Sequence, residues 1–162
     1  MSTEMNVYIS ALQESLRKKQ KLLQEILELT TEQKEILTQD HLDVDRFEQI
    51  MTEKEELITA LNELDQGFDS LFQKIKDTLE QQKYQYKQQI QQMQGDIRAI
   101  TDLGVTIQGM EHQNRDAFQK YLMQERQEIK MGRTSSQTAV SYYQNMPNQH
   151  HEWQSYFMDQ KN

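Results

Sequence analysis

The chain has 162 residues, of which 35% are hydrophobic and 27% charged, and its formal net charge is -8. The hydrophobic share is below the roughly 45–50% of a compact globular domain, which favours a thin helical bundle that buries only a narrow stripe. The acidic balance argues against nucleic acid as a partner, and the lack of cysteine excludes disulfides, thiol catalysis and cysteine-ligated zinc.

Targeting and membrane signals are missing from the sequence. The start, MSTEMNVYIS, has neither the basic region nor the apolar core of a secretory signal. No apolar run approaches the roughly 18–20 residues that cross a bilayer. We therefore expect a cytoplasmic protein without membrane insertion.

Apolar residues recur at steps of three and four in the first part of the chain, the spacing of a helix packed lengthwise on other helices. Three polar members of this seam, Lys19, Thr30 and Gln33, are typical of residues that fix helix register. We predict a first helix over about 3–38, then a short acidic turn in which Asp43 caps the next helix. The apolar seam positions are Met5, Ile9, Leu12, Leu16, Leu23, Ile26 and Leu37.

A second helix is predicted over about 43–79, and the short turn before it makes it antiparallel to the first. Gly67 weakens this helix by about 1 kcal/mol relative to alanine and allows a bend, but the pattern resumes at once and favours one helix. Its seam comprises Val44, Phe47, Met51, Lys54, Ile58, Leu61, Leu64, Phe68, Leu71, Ile75 and Leu79.

A third helix is predicted over about 84–131, and no glycine or proline marks the turn before it. At about 1.5 Å per residue it is the longest of the three, so we expect its end to extend beyond the other helices and offer a broad apolar face. The seam comprises Ile97, Ile100, Leu103, Ile107, Met110, Asn114, Ala117 and Tyr121, and a second row adds Phe118, Leu122 and Ile129.

The periodicity stops after Gly132. Residues 133–162 are rich in Ser, Thr, Asn and Gln, which is typical of a flexible tail. Aromatic residues are concentrated there, so two interpretations stay open: a flexible tail with one or two adhesive elements, or a strap that folds back on the bundle. The aromatic residues are Tyr142, Tyr143, Trp153, Tyr156 and Phe157.

Together these patterns predict an all-α fold, an elongated antiparallel three-helix coiled-coil bundle with a long third helix and a flexible C-terminal tail. The predicted domains are a helical domain over 1–132 and a tail over 133–162.

Catalytic and metal-binding motifs are absent from the sequence. It has no phosphate-binding loop, no nucleophile elbow, no H-E-x-x-H and no Glu three residues before a His. His112 beside Glu111 is interpreted as a surface pair, and the adjacent His150 and His151 cannot both face one metal from a helix. We predict no enzyme activity, no cofactor and no metal site.

The chain resembles the FlgN family of flagellar type III export chaperones, in particular the variants of clostridia-like Gram-positive bacteria. The resemblance covers roughly 5–132, with a weaker similarity in the tail. Each motif alone carries little information, for example Lys54 in its E-K-E-E-L-I context; their order and spacing carry the resemblance. The segments, in order, are TTEQKEIL, DHLDVDRFEQIMTEKEELITALNELDQGFDSLF, YQYKQQIQQMQGDIRAITDLGVTIQGMEHQNR and QSYFMDQKN.

The resemblance implies a small cytoplasmic chaperone that needs no nucleotide or metal. It would bind the C-terminal amphipathic helices of hook–filament junction (hook-associated) proteins, prevent their premature assembly and deliver them to the flagellar type III export gate. The cargo helix would lie in a groove along the third helix. The implied cargo-binding residues are Ile107, Met110, Ala117, Phe118, Tyr121, Leu122 and Ile129.

Parts of this surface have a competing interpretation. Ile107 to Ala117 suit packing against the first two helices equally well, whereas for Phe118, Leu122 and Ile129 we expect the neighbouring helices to stop short. Tyr121 is also a candidate for contact with the export gate.

Three alternatives to the FlgN interpretation remain. A FliT-type chaperone of the filament cap would have a similar architecture, although the long third helix and the tail favour FlgN. A structural coiled-coil protein would use the same seams for self-association, and a signalling helix pair would need partner domains. Oligomeric state discriminates among them, because a chaperone should be a monomer or weak dimer that forms a defined complex with its cargo.

Overall fold

The computed structural model describes residues 2–124 and 156–158. The first of these ranges forms three helices, α1 (Ser2–Leu37), α2 (Val44–Gln81) and α3 (Lys87–Gln124). Neither described range contains a strand, so the all-α prediction is confirmed, and no helix in them is long and apolar enough to cross a membrane.

Asp43 begins α2 as an N-cap. Its side-chain Oδ1 accepts a hydrogen bond from the Arg46 amide at 3.2 Å, and its carbonyl accepts one from the Phe47 amide at 3.0 Å. The first contact satisfies an amide that has no carbonyl partner in the first helical turn, and the second is the first backbone hydrogen bond of the helix. The predicted cap is confirmed.

The connection between α2 and α3 is the five-residue turn 82–86. Its two tyrosines behave in opposite ways: the Tyr84 side chain is 89% exposed, whereas Tyr86 is buried. The Tyr86 carbonyl accepts the Ile90 amide at 2.9 Å, which starts the hydrogen-bond pattern of α3. A buried aromatic ring therefore positions a turn that has no glycine or proline.

Gly67 does not interrupt α2, which continues through it as one helix, as predicted.

The described residues fall into two compact units. Unit 1 comprises the described residues 2–23, 60–103 and 156–158, and unit 2 comprises 24–59 and 104–124. In unit 1 the start of α1 packs with the end of α2, and in unit 2 the end of α1 packs with the start of α2, so these two helices are antiparallel, as predicted.

The mainly apolar core of unit 1 also contains two buried polar side chains, Asp65 and Gln94. The Lys19 ammonium lies 2.7 Å from the Asp65 carboxylate, which joins α1 to α2. On α2 the buried row differs from the predicted one, because Asp65 and Phe72 are buried whereas Leu64 and Leu71 are only half-buried. The largest enclosed apolar side chains of this unit are Leu12, Leu16, Phe72, Leu79, Tyr86, Met93 and Phe157.

Tyr156–Met158 is the described part of the predicted tail. These residues are helical, and the Phe157 side chain is fully buried in unit 1. For this segment the strap interpretation applies. The rest of 133–162, with Tyr142, Tyr143 and Trp153, lies outside the described residues, as do the predicted end of the third helix at 131 and Ile129.

Candidate helix-binding surface on the third helix

The later part of α3 belongs to unit 2 and has one row of residues that are buried in its core. Ile107, Glu111, Asn114 and Phe118 follow at steps of four, three and four residues, and all four are buried. This row differs from the predicted seam, in which Met110 and Ala117 held the central positions. Met110, Ala117, Tyr121 and Leu122 are half-buried instead and flank the row.

Phe118 is held by the start of α2. Its ring stacks on Phe47 with centroids 5.1 Å apart and an interplanar angle of 8°. The ring centroid of Tyr121 lies 6.5 Å from that of Phe118, and both Tyr121 and Leu122 pack against the same cluster. The buried members of that cluster are Ile36, Phe47, Ile50, Met51 and Phe118.

The expectation that neighbouring helices stop short of Phe118 and Leu122 is therefore wrong. α2 begins at Val44, which places Phe47 against Phe118 at this end of the unit. Of the seven predicted cargo-binding residues, the structure brings six into the core or flanks of unit 2, and Ile129 lies outside the described residues.

A buried polar layer lies beside these apolar residues. The Lys54 ammonium donates to a Glu111 carboxylate oxygen and, at 2.5 Å, to the Gln33 side-chain oxygen. Burial lowers the pKa of Lys54 to about 8, and the attraction of Glu111 opposes that shift. Glu111 Oε2 has no hydrogen-bond partner within the described ranges.

Asn114 adds a second contact between this polar layer and α1. Its side-chain amide donates to the Thr30 carbonyl at 3.1 Å, while the Thr30 hydroxyl donates to the Ile26 carbonyl at 2.7 Å. The amide of Asn114 thus finds its partner in a neighbouring helix, which suits a residue that specifies register.

The interpretation of Glu111 and His112 as a surface pair is wrong for Glu111. His112 is exposed, with its Nδ1 2.8 Å from Arg115 and its Nε2 3.8 Å from Asp116. Glu111 points the other way because it neutralises Lys54. A signal was present in the sequence: a lysine in an apolar seam needs a buried anion, and Glu111 stands four residues after Ile107 and three before Asn114.

Arg46 links the start of α2 to α1. Its guanidinium makes two hydrogen bonds to the Glu32 carboxylate of α1, one of them at 2.7 Å. This contact lowers the pKa of Glu32 and raises that of Arg46. A paired fork of this kind fixes the orientation of both side chains.

No group of three or more histidine, aspartate or glutamate side chains in the described ranges could hold a metal ion. What unit 2 does offer is an α3 segment anchored by a buried row and flanked by half-buried apolar side chains. Such a segment is suited to contact with another amphipathic helix.

The fold defines an all-α helical bundle protein. A family model described as FlgN protein matches residues 1–146, and the chain belongs to this family. FlgN proteins are flagellar export chaperones that bind flagellar proteins and act in assembly of the flagellum. No curated protein and no solved structure matches the chain.

Proposed function

We propose that this chain is a cytoplasmic chaperone that binds the C-terminal amphipathic helices of hook–filament junction proteins, prevents their premature assembly and delivers them to the flagellar type III export gate. Membership of the FlgN family is the observation that carries this proposal. The activity is binding and release, with no enzymatic step and no cofactor.

The proposed cargo surface has an accessible part and a supporting part. Met110, Ala117, Tyr121 and Leu122 each keep some exposed surface, and Met123 beside them is 74% exposed. An incoming helix would cover these side chains first. Ile107 and Phe118 are buried, so they would fix the position of α3 without contacting the cargo. Ile129 would extend the proposed surface towards the C-terminus.

We expect the cargo helix to bind this surface by helix-in-groove recognition. A cargo helix that would otherwise self-associate can bury its apolar face on the flank of α3. Tyrosine is common among the residues that dominate binding energy, because its ring adds a large contact area at low entropic cost. Tyr121 is therefore the residue whose loss should weaken cargo binding most.

The test is a titration of the labelled C-terminal helix of a hook–filament junction protein against the full chain. Tyr121→Ala should weaken binding by about tenfold or more, as expected for a central aromatic contact. Tyr84→Ala is the matched control, since it removes the same side chain from the exposed turn between α2 and α3. Both variants should keep the helical circular dichroism of the wild type.

Two results would count against the proposal. If the helix binds Tyr121→Ala as tightly as the wild type, the surface lies elsewhere. If the corresponding helix of the filament-cap protein binds more tightly than that of the junction protein, the cargo is the one served by FliT-type chaperones.

A further inference from the structure

The C-terminal aromatic segment occupies a groove of unit 1. The Phe157 side chain is fully buried, with its ring centroid 5.6 Å from that of Phe72 and 6.1 Å from that of Phe68. The interplanar angles, 51° and 71°, are the tilted and edge-on arrangements that aromatic pairs prefer. α2 thus supplies an aromatic pocket for a ring from a distant part of the chain.

Polar contacts add specificity to this pocket. Gln94 of α3 is buried, and its side-chain amide donates to the Phe157 carbonyl at 2.7 Å. Tyr156 lies over Phe72 at 5.0 Å between centroids, and its hydroxyl donates to the Glu80 carboxylate at 3.0 Å. The groove therefore recognises two consecutive aromatic side chains and one backbone carbonyl, with groups from both α2 and α3.

The residues of this segment are distant in sequence from the groove residues that they contact. Phe157 lies 63 positions from Gln94, and Tyr156 lies 76 positions from Glu80. The described contacts come from Tyr156 and Phe157, whereas the next residue, Met158, is 40% exposed. A segment of the same chain competes with a free ligand through its own affinity for the groove and an effective concentration that the connection sets.

We propose that this groove is a second helix-binding site, which the chain's own Tyr156–Phe157 pair occupies and from which an aromatic-bearing amphipathic helix of a flagellar export partner displaces it. The resident segment defines the chemistry of that partner, because it is itself helical and docks through aromatic rings. The identity of the partner rests on the proposed function, whereas the groove itself does not.

The groove is tested with the full chain and a labelled peptide of residues 149–162. Phe157→Ala should bind the peptide at least about tenfold more tightly than the wild type, because its own tail no longer fills the pocket. Met158→Ala is the matched control and should behave like the wild type. Equal binding by Phe157→Ala and the wild type would overturn the proposal.

A second variant covers the case in which Phe157→Ala loses helical structure. Tyr156→Ala removes the contacts to Glu80 and Phe72 while leaving the Phe157 ring to fill the core. It should increase peptide binding in the same direction by a smaller factor, and no increase would overturn the proposal.

The partner is tested by displacement of the labelled peptide from Phe157→Ala. A junction-protein helix that carries an aromatic residue should displace the peptide, and the same helix with alanine in its place should not. A helix that binds the chain without displacing the peptide overturns this inference but leaves the proposed function standing. A helix that binds neither the wild type nor the variant overturns the proposed function, and the partner named here with it.

Discussion

Lys54 of α2 and Glu111 of α3 form an ion pair in unit 2, where neither side chain has any exposed surface. Gln33 of α1 accepts a further hydrogen bond from the same ammonium, so one cation joins three helices at one level. A buried charge is tolerated only where partners replace water. Sliding any of these helices by one turn would remove a partner, so the layer specifies register.

Lys54→Met should destabilise the protein by about 3–5 kcal/mol, because it leaves the Glu111 carboxylate buried without its cation. Urea unfolding followed by circular dichroism measures this change. A loss below about 1 kcal/mol would contradict the buried ion pair.

The apolar replacement Gln33→Leu/Lys54→Met/Glu111→Leu should recover that loss, because similar volumes fill the layer without a desolvation cost. If the layer specifies register, the triple variant should also populate more than one helix alignment. Broadened or doubled amide resonances from unit 2 would show this, and a single sharp set would contradict the register role.

The lowered pKa of Lys54 predicts a pH dependence of stability. Burial brings that pKa to about 8, whereas in the unfolded chain the lysine keeps a value near 10.5. Between these values the unfolded chain holds a proton that the folded chain has released, so the contribution of this site to stability rises with pH.

This dependence is measured as the difference in unfolding free energy between the wild type and the triple variant, from about pH 7 to pH 10.5, so that groups common to both cancel. The wild type should gain on the triple variant as the pH rises. A difference that stays constant or shrinks would mean that Glu111 outweighs burial.

Phe118→Ala should cost about 3–5 kcal/mol, since it removes a buried ring that stacks on Phe47. Met123→Ala, on the exposed side of the same helix, should change stability by no more than about 0.5 kcal/mol. Thermal unfolding distinguishes the two. Similar melting temperatures for both variants would show that Phe118 is not a core residue.

Asp43→Ala should destabilise the protein by about 1 kcal/mol through loss of the α2 cap, and Asp43→Ser should restore most of it. Asp40→Ala, in the same exposed turn, is the control. The melting temperatures of the three variants check the ranking, and equal effects of Asp43→Ala and Asp40→Ala would contradict the capping role.

Periodicity predicts the existence and order of the three helices, and capping chemistry predicts the start of α2 at Asp43, because spacing and capping are local properties of the sequence. It failed where a polar or aromatic residue enters the core for the sake of a distant partner. Asp65 is buried because Lys19 reaches it from α1, and Phe72 packs on Phe157. Neither contact can be read from one helix alone.

At the candidate site, too, periodicity could not predict which residues are buried against a distant helix. The second row of α3 was identified, but its burial depended on where α2 begins. A charged residue in a helical pattern is normally assigned to the surface, so Glu111 was placed on the wrong side of α3. The pairing of Lys54 with Glu111 across two helices accounts for the burial of Glu111.

The most direct test of the chaperone function is the mass, by light scattering, of the full chain mixed with the C-terminal segment of a hook–filament junction protein. We predict a stoichiometric complex with one chaperone chain, formed by a protein that alone is a monomer or weak dimer. A chain that forms a stable oligomer by itself and takes up no cargo would contradict this account and favour a self-associating structural protein.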